Sequence, residues 1–254
     1  VRLTRSIRRT LWTLAGRFGG TIGGDASDRL TVVVAFHHPV RMRHADALAR
    51  NILRCGFVER LVLSNHNPAV RLADHLSLSD ARVVVNEERA PMGCGHRWQV
   101  AVRWPAGYLI VIDDDILLRP EQLRTLFHAL QADPARPHGI AGMRRSHAGT
   151  FEFVERRNDD TDFLCEVYAV TGEHLDRYVQ RRDRLPQRVR ARVDRSADFV
   201  LISACGNGRP RLHDVGRVLR CESFKAPGIA VHQGAEFHHD FGEVSELVAS
   251  TAPQ

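Results

Sequence analysis

Residues 108–118 read YLIVIDDDILL, an unbroken apolar run that ends in three aspartates and then turns apolar again. A short β-rich run of this kind, bounded by a polar cluster, predicts a strand buried on both faces. Such a strand delivers Asp113, Asp114 and Asp115 to its carboxyl end, where open α/β sheets bind ligands. If the backbone stays extended, Asp113 and Asp115 face one side and Asp114 the other. Ionised carboxylates roughly 4–6 Å apart repel, and beside a dry strand that repulsion is poorly screened. A hard divalent cation, Mg²⁺ or Mn²⁺, relieves the conflict, with phosphate oxygens completing its shell. The competing reading is a solvated acidic turn after a strand.

The surrounding pattern is that of an α/β chain. Residues 30–36 (LTVVVAF) predict a first buried strand, and a helix follows around 43–55. A second strand over 60–64 ends in the turn sequence SNHNP, and a third covers 82–86. A helix around 95–104 precedes the aspartate strand, and 120–131 predicts the next helix, with Pro120 at its start. Four strand–helix units in a row imply a parallel sheet with right-handed crossovers. Beyond Pro137, strands are expected over 139–144, 151–156 and 163–170, and a helix over 173–180. Residues 181–195 (RRDRLPQRVRARVDR) read as an arginine-rich connector, either a solvated surface or an anion-binding face. Another helix opens at Asp198.

With 254 residues the chain makes one large domain or two small ones. Its net charge is +6 and Lys225 is the only lysine. No aromatic platform or recognition motif accompanies the arginines, so basicity does not imply nucleic acid. No apolar run approaches the ~20 residues that span a bilayer. The five cysteines are scattered and never form a C-x-x-C pair, which fits reduced thiols in a cytosol. The arginine-bearing start lacks the apolar core and cleavage site of a secretory signal. Residues 2–18 instead predict a basic amphipathic helix, and Gly19, Gly20, Gly23 and Gly24 a flexible joint. That helix can lie on an anionic membrane surface, dock on its own domain, or fray. The expected location is cytoplasmic, with peripheral contact at the inner face of the membrane as one use of the helix.

Neither a P-loop nor a G-x-G-x-x-G follows the first strand, which ends AFHHPVR. A nucleotide would therefore be held by side chains and strand-end backbone. A nucleotidyltransferase on a related fold would want a glycine-rich basic loop there, and haloacid-dehalogenase phosphatases carry their aspartates on the first strand. An arginine-rich, non-catalytic module that binds polyanions or membranes is the rival from another class.

Taken in order, TVVVAFHHPVR, RLVLSNHNP, VVVNEE, the segment 93–97 and YLIVIDDD resemble a GT-A-fold glycosyltransferase. Within that fold, the triplet, the asparagine after the second strand and Ser196-Ala197-Asp198-Phe199 are similar to the exostosin-type hexosaminyltransferase domain (family 64-like), with family 2 the broader likeness. The resemblance implies a mixed, mostly parallel sheet flanked by helices, in one domain over 29–240. Residues 29–137 would form its nucleotide-binding half and 138–240 its acceptor side, leaving 1–28 as helix and linker and 241–254 as a tail. It also implies a sugar moved from a nucleotide diphosphate, most simply UDP, to a glycan, glycolipid or cell-envelope acceptor, with Mn²⁺ or Mg²⁺.

The resemblance also implies residue roles. Asp113 would touch the ribose or uracil, and Asp115 would coordinate the metal on the diphosphate. Asp114 would assist through water or the donor sugar. Phe36, Arg41, Asn65 and Asn86 would line the base and ribose pocket, and Arg97 would approach the diphosphate or uridine. Asp198 would be the catalytic carboxylate, as base for the acceptor hydroxyl or partner to the cationic anomeric carbon. Late histidines close some GT-A sites, and His232, expected after an apolar strand, would bind metal; a zinc site from His232, His238 and His239 lacks a fourth ligand at recognisable spacing. His37 and His38 depart from the exostosin pattern and leave donor sugar and stereochemical outcome open.

Overall fold

The computed structural model describes residues 14, 20–24, 29–146 and 149–251, and in it the apolar runs become strands. These are β1 (Leu30–Phe36), β2 (Val58–Asn65), β3 (Val83–Glu87), β4 (Tyr108–Asp113), β5 (Ile116–Leu117), β6 (His138–Arg145), β7 (Phe151–Glu155), β8 (Phe163–Thr171), β9 (Arg211–Leu212) and β10 (Leu219–Arg220). The helices are α1 (Pro39–Met42), α2 (Ala45–Ile52), α3 (His96–Val102), α4 (Pro120–Ala132), α5 (Gly172–Arg184), α6 (Gln187–Arg192), α7 (Asp198–Ser203) and α8 (Ala235–Thr251). One eight-stranded sheet runs β3-β2-β1-β4-β8-β6-β7, with β9 beside β6. Parallel pairings outnumber antiparallel ones four to three, so the sheet is mixed and mostly parallel.

Period-two alternation between two buried faces explains why β1, apart from Thr31, and β4, up to Asp113, are apolar. Val32, Val34, Ile110 and Ile112 face a core shared with Leu48 of α2 and Leu126 of α4. Val33, Leu109 and Val111 face the opposite core, which holds Trp98 of α3, Tyr178 of α5 and Val200 of α7. The chain lays down β1, β2 and β3 toward one edge and then returns to place β4 on the other side of β1. That reversal is where such sheets open a crevice at their carboxyl ends. Register puts Ala35 against Asp113, Phe36 against Asn65 and Asn65 against Glu87, all at that edge. Because β8 is antiparallel to β4, its earlier residues reach the same edge.

Several expectations change. The helix of residues 2–18 lies outside the described residues, apart from Leu14. The glycine joint is partly tied down, since Ile22 bridges Cys55 and exchanges backbone hydrogen bonds of 2.9 and 2.7 Å with Arg54 and Gly56. Residues 181–195 are mostly helical: α5 runs to Arg184, Pro186 caps α6, and Val193–Ala197 forms a π-helical turn with Val193 buried. Val193 docks inside, and most of the arginines stay at the surface, but Arg192 is buried against Glu243 of α8. The expected tail begins inside α8, whose Phe241 and Val244 are buried against the second core. No helix among the described residues is long and apolar enough to cross a membrane.

Candidate active site

β4 stops at Asp113, and Asp114 and Asp115 occupy a two-residue turn before β5. The expected alternation therefore fails at the triplet, because an extended backbone no longer governs the last two side chains. The turn is fixed from a distance: β5 pairs with β10, and the Cys221 amide donates to the Asp115 carbonyl at 2.9 Å. Asp114 and Asp115 then meet one guanidinium. Arg41 places Nη1 2.7 Å from Asp114 Oδ1 and Nη2 2.7 Å from Asp115 Oδ2. Arg41 reaches them from α1, which Pro39 starts directly after β1 and which His38 caps by accepting from the Val40 amide.

Asp113 turns to the second arginine. Arg97 donates from Nη1 to Asp113, from Nε to Asp198 Oδ2 at 2.7 Å, and from Nη2 to the Tyr168 hydroxyl at 3.2 Å. Its guanidinium lies 4.6 Å from the Tyr168 ring centroid, and Trp98 Nε1 donates to the same Asp198 oxygen at 2.6 Å. Asp198 is fully buried, and its Oδ1 has no partner among the described residues. Two glycines bring these elements together. A Cβ on Gly93 would stand 2.3 Å from the Asp194 carbonyl oxygen, and one on Gly95 2.7 Å from that of Val193. Only bare backbone lets the start of α3 seat against the π-helical turn that leads to Asp198.

Four carboxylates (Asp113, Asp114, Asp115, Asp198) thus share two guanidiniums, leaving two negative charges uncompensated when all are ionised. Burial and the mutual repulsion of these carboxylates raise the pKa values of Asp113 and Asp115. Burial pushes the Asp115 carboxyl well above its usual range; Arg41 opposes this, and Asp114, Asp113 and Glu166 add to it. Burial likewise raises Asp113 against the pull of Arg97. Burial works against charge on Arg41, but Asp114 and Asp115 outweigh it and hold the guanidinium protonated. No three His, Cys, Asp or Glu side chains form a ready-made metal cluster among the described residues. The donor set instead fits a divalent cation held by one or two carboxylates together with substrate phosphate oxygens, and the charge deficit is of the right size.

The other expected site residues divide. His232 lies on a 3₁₀ turn, Val231–Gln233, and follows no strand, because Gly228 turns the backbone at φ 75°. It is half-buried, 5.7 Å from the Phe224 ring, with its pKa lowered by burial and then by the charge of nearby Arg41. His239 is engaged by Arg192 at 3.0 Å and Glu243 at 3.2 Å. Phe36 is a wholly buried core side chain. Asn65 spends its amide on the Val70 carbonyl and Glu87 and its oxygen on the Asn67 amide, so it builds the turn after β2. Asn86 is likewise occupied by Ser64, Glu88 and Arg103. Arg97 is buried beneath Asp113, and each of its three nitrogens already donates to Asp198, Asp113 or Tyr168, which makes it a support for the carboxylates rather than an open diphosphate ligand.

Residues with no expected role also gather here. Glu166 of β8 stands beside Asp113, and burial first, with Asp113 and Glu155 adding, lifts it to about 7 against the pull of Arg220. Its signal was a lone acid in the apolar strand FLCEVYAV. On the β2 side, His66 and His96 meet edge to face at 5.1 Å, and His96 contacts Glu88 at 2.8 Å. A cavity of about 700 Å³ is walled by residues 215–220 and by Glu155, Glu222 and Phe224; the triplet does not line it, but Arg220, which pairs with Ile116 just after the turn, does.

No protein-family profile matches the sequence, and no curated protein matches it. Among solved structures, the chain is similar to GalNAc-T7 crystallised with UDP, GalNAc and Mn²⁺, with a TM-score of 0.62 at 11% identity. That match covers 96% of this chain and 56% of the other, so the chain spans little more than half of GalNAc-T7's length. HddC from Yersinia pseudotuberculosis matches at a TM-score of 0.43 and 15% identity, over 57% of this chain and 78% of that one. The first likeness shows the fold: a GT-A, Rossmann-like sheet of the kind glycosyltransferases use. At these identities it identifies neither an exostosin-type nor a family 2 member.

Proposed function

We propose that the chain is a glycosyltransferase that moves a sugar from a nucleotide diphosphate, UDP in the simplest case, to a glycan, glycolipid or cell-envelope acceptor. The observation that carries this reading is the acidic turn at the sheet's reversal point, clamped by Arg41 and Arg97 and still short of positive charge. The GT-A neighbour with UDP and Mn²⁺ supports the donor class.

On this reading Asp115, with His232 nearby, would hold the divalent cation, Mn²⁺ or Mg²⁺. When bound, such a cation supplies Lewis-acid stabilisation of charge on the leaving diphosphate. Asp113, fixed by Arg97, faces the nucleoside, and Asp114 keeps Arg41 beside the phosphates. Arg97 and Asp198 serve as positioning residues under Asp113. Asp198 is fully buried, so it would act through Arg97, and its unpartnered Oδ1 would meet a donor hydroxyl only if the site opened toward it. The basic segment 2–18 would bring a cytoplasmic enzyme to anionic lipid; equal liposome binding with and without residues 1–20 would remove that part.

A thermal-shift panel of nucleotide sugars, with and without Mn²⁺, tests the whole. Ligands that bind only the folded state raise the midpoint by mass action. One donor class should do so, and more strongly with metal; a flat panel rejects the reading.

A further inference from the structure

Among the described residues, two that are not glycine hold a positive φ: Arg156 at 57° and Glu166 at 68°. Bulky side chains rarely adopt this region, and such strain persists only where the surroundings enforce it. Glu166 binds the guanidinium of Arg220, and Arg156 directly follows Glu155, which binds the same group. Glu166 precedes Val167, which pairs with Ile112, so Glu166 stands level with Asp113. It is 6% exposed, and both its oxygens are taken: Oε1 accepts from Arg220 Nε at 3.0 Å and Oε2 from Nη2 at 2.8 Å. Glu155, the neighbour of Arg156, accepts from the same Nη2. Two carboxylates on one guanidinium exceed what neutralisation requires, and one of them adds negative charge next to Asp113. Stability alone argues against that placement. What it secures is the orientation of Arg220.

Arg220 is tied to the triplet by backbone. It pairs with Ile116 in the β5–β10 ladder, and the next residue, Cys221, binds the Asp115 carbonyl. Its Nε and Nη2 are used by the clamp, while Nη1 has no hydrogen-bond partner among the described residues, and the side chain walls the cavity of about 700 Å³. Arg217 and Lys225 line the same cavity. A rigid guanidinium with a spare N–H, joined by backbone to a turn that would seat a cation, is suited to a phosphate oxygen.

We propose that Arg220 binds the distal phosphate of the donor's diphosphate and that Glu166 is the positioning residue that aims it. This rests on the transferase reading above. The leaving diphosphate gains charge as the sugar departs, and a preorganised donor there needs no rearrangement.

Calorimetric affinities for UDP and UMP, measured with Mn²⁺ on wild type, Arg220→Gln, Arg220→Lys and Glu166→Gln, test it. UMP lacks the distal phosphate and so reports the fold and the nucleoside pocket. Wild type should prefer UDP, and Arg220→Gln should lose about tenfold or more of that preference with UMP affinity kept. Glu166→Gln should lose a smaller part, and Arg220→Lys should lie between wild type and Arg220→Gln. An unchanged UDP-to-UMP ratio in Arg220→Gln overturns the assignment. If that variant loses UMP as well, Arg220→Lys decides by the same ratio. Wild type that binds neither nucleotide rejects the transferase reading itself, and this role with it.

Discussion

Replacing Arg97 by methionine keeps the apolar stem of the side chain and removes its charge from between Asp113 and Asp198. Three hydrogen bonds go, to Asp113, to Asp198 and to the Tyr168 hydroxyl, together with the contact over the Tyr168 ring. Asp198, with no exposed surface, keeps Trp98 Nε1 as its one donor. Breaking a buried pair in this way costs about 3–5 kcal/mol, most of it the penalty for the carboxylate left behind. In a chain of this size that corresponds to a fall of about 6–20 °C in the unfolding midpoint. Two features separate the mechanism from a simple packing defect. Adding Asp198→Asn to Arg97→Met should recover a large part of the loss, because the stranded charge is gone. The deficit of the single variant should also shrink from pH 7 to pH 5 as its carboxylates take up protons. Urea unfolding of wild type and the three variants measures both. A loss below about 1 kcal/mol, or a double variant no better than Arg97→Met, refutes the account of this buried cluster.

Two further perturbations read other parts of the site. Burial, followed by the charges of His96 and Arg97, lowers His66 to about 3, so the folded chain refuses a proton that the unfolded chain accepts below its ordinary 6.5. Stability from this group is complete above pH 6.5 and is lost toward pH 3, by up to ~1.4 kcal/mol per pH unit. His66→Gln should flatten that part of the acid-unfolding curve, and an unaltered slope contradicts the assignment. Gly93→Ala would drive a Cβ to 2.3 Å from the Asp194 oxygen and 2.7 Å from the Arg195 Cα. It should cost about 1–3 kcal/mol in a denaturant titration and weaken UDP binding by disturbing Arg97; an unchanged midpoint would show that α3 does not depend on that close approach.

The first half of the fold could be read from the sequence because its information is local. Apart from Thr31, β1 is apolar, and β4 is apolar up to Asp113, where the triplet begins; only a strand covered on both faces requires that. Arg41 and Arg97, which contact the triplet, and Asp198, which shares Arg97 with it, were also singled out by the sequence. Their geometry was not legible there. Asp114 and Asp115 turn together because β5 pairs with a strand about 100 residues further on. Asn65 looks like a ligand until Glu87, brought alongside by β2–β3 pairing, takes its amide. Glu166 sits in a strand whose other residues are mostly apolar, and its positive φ and its partner Arg220 are products of tertiary structure. The connector 181–195 carries so many arginines that its few apolar anchors, Val193 among them, are hidden in the composition.

Isothermal titration of UDP into wild type and Asp115→Asn, each with Mn²⁺ and with chelator, tests the central claim most directly. The account predicts that Mn²⁺ tightens UDP binding by wild type and that Asp115→Asn loses most of this enhancement while retaining the weaker, metal-free binding. Equal UDP affinity under all four conditions, or the same Mn²⁺ enhancement in both proteins, would contradict it.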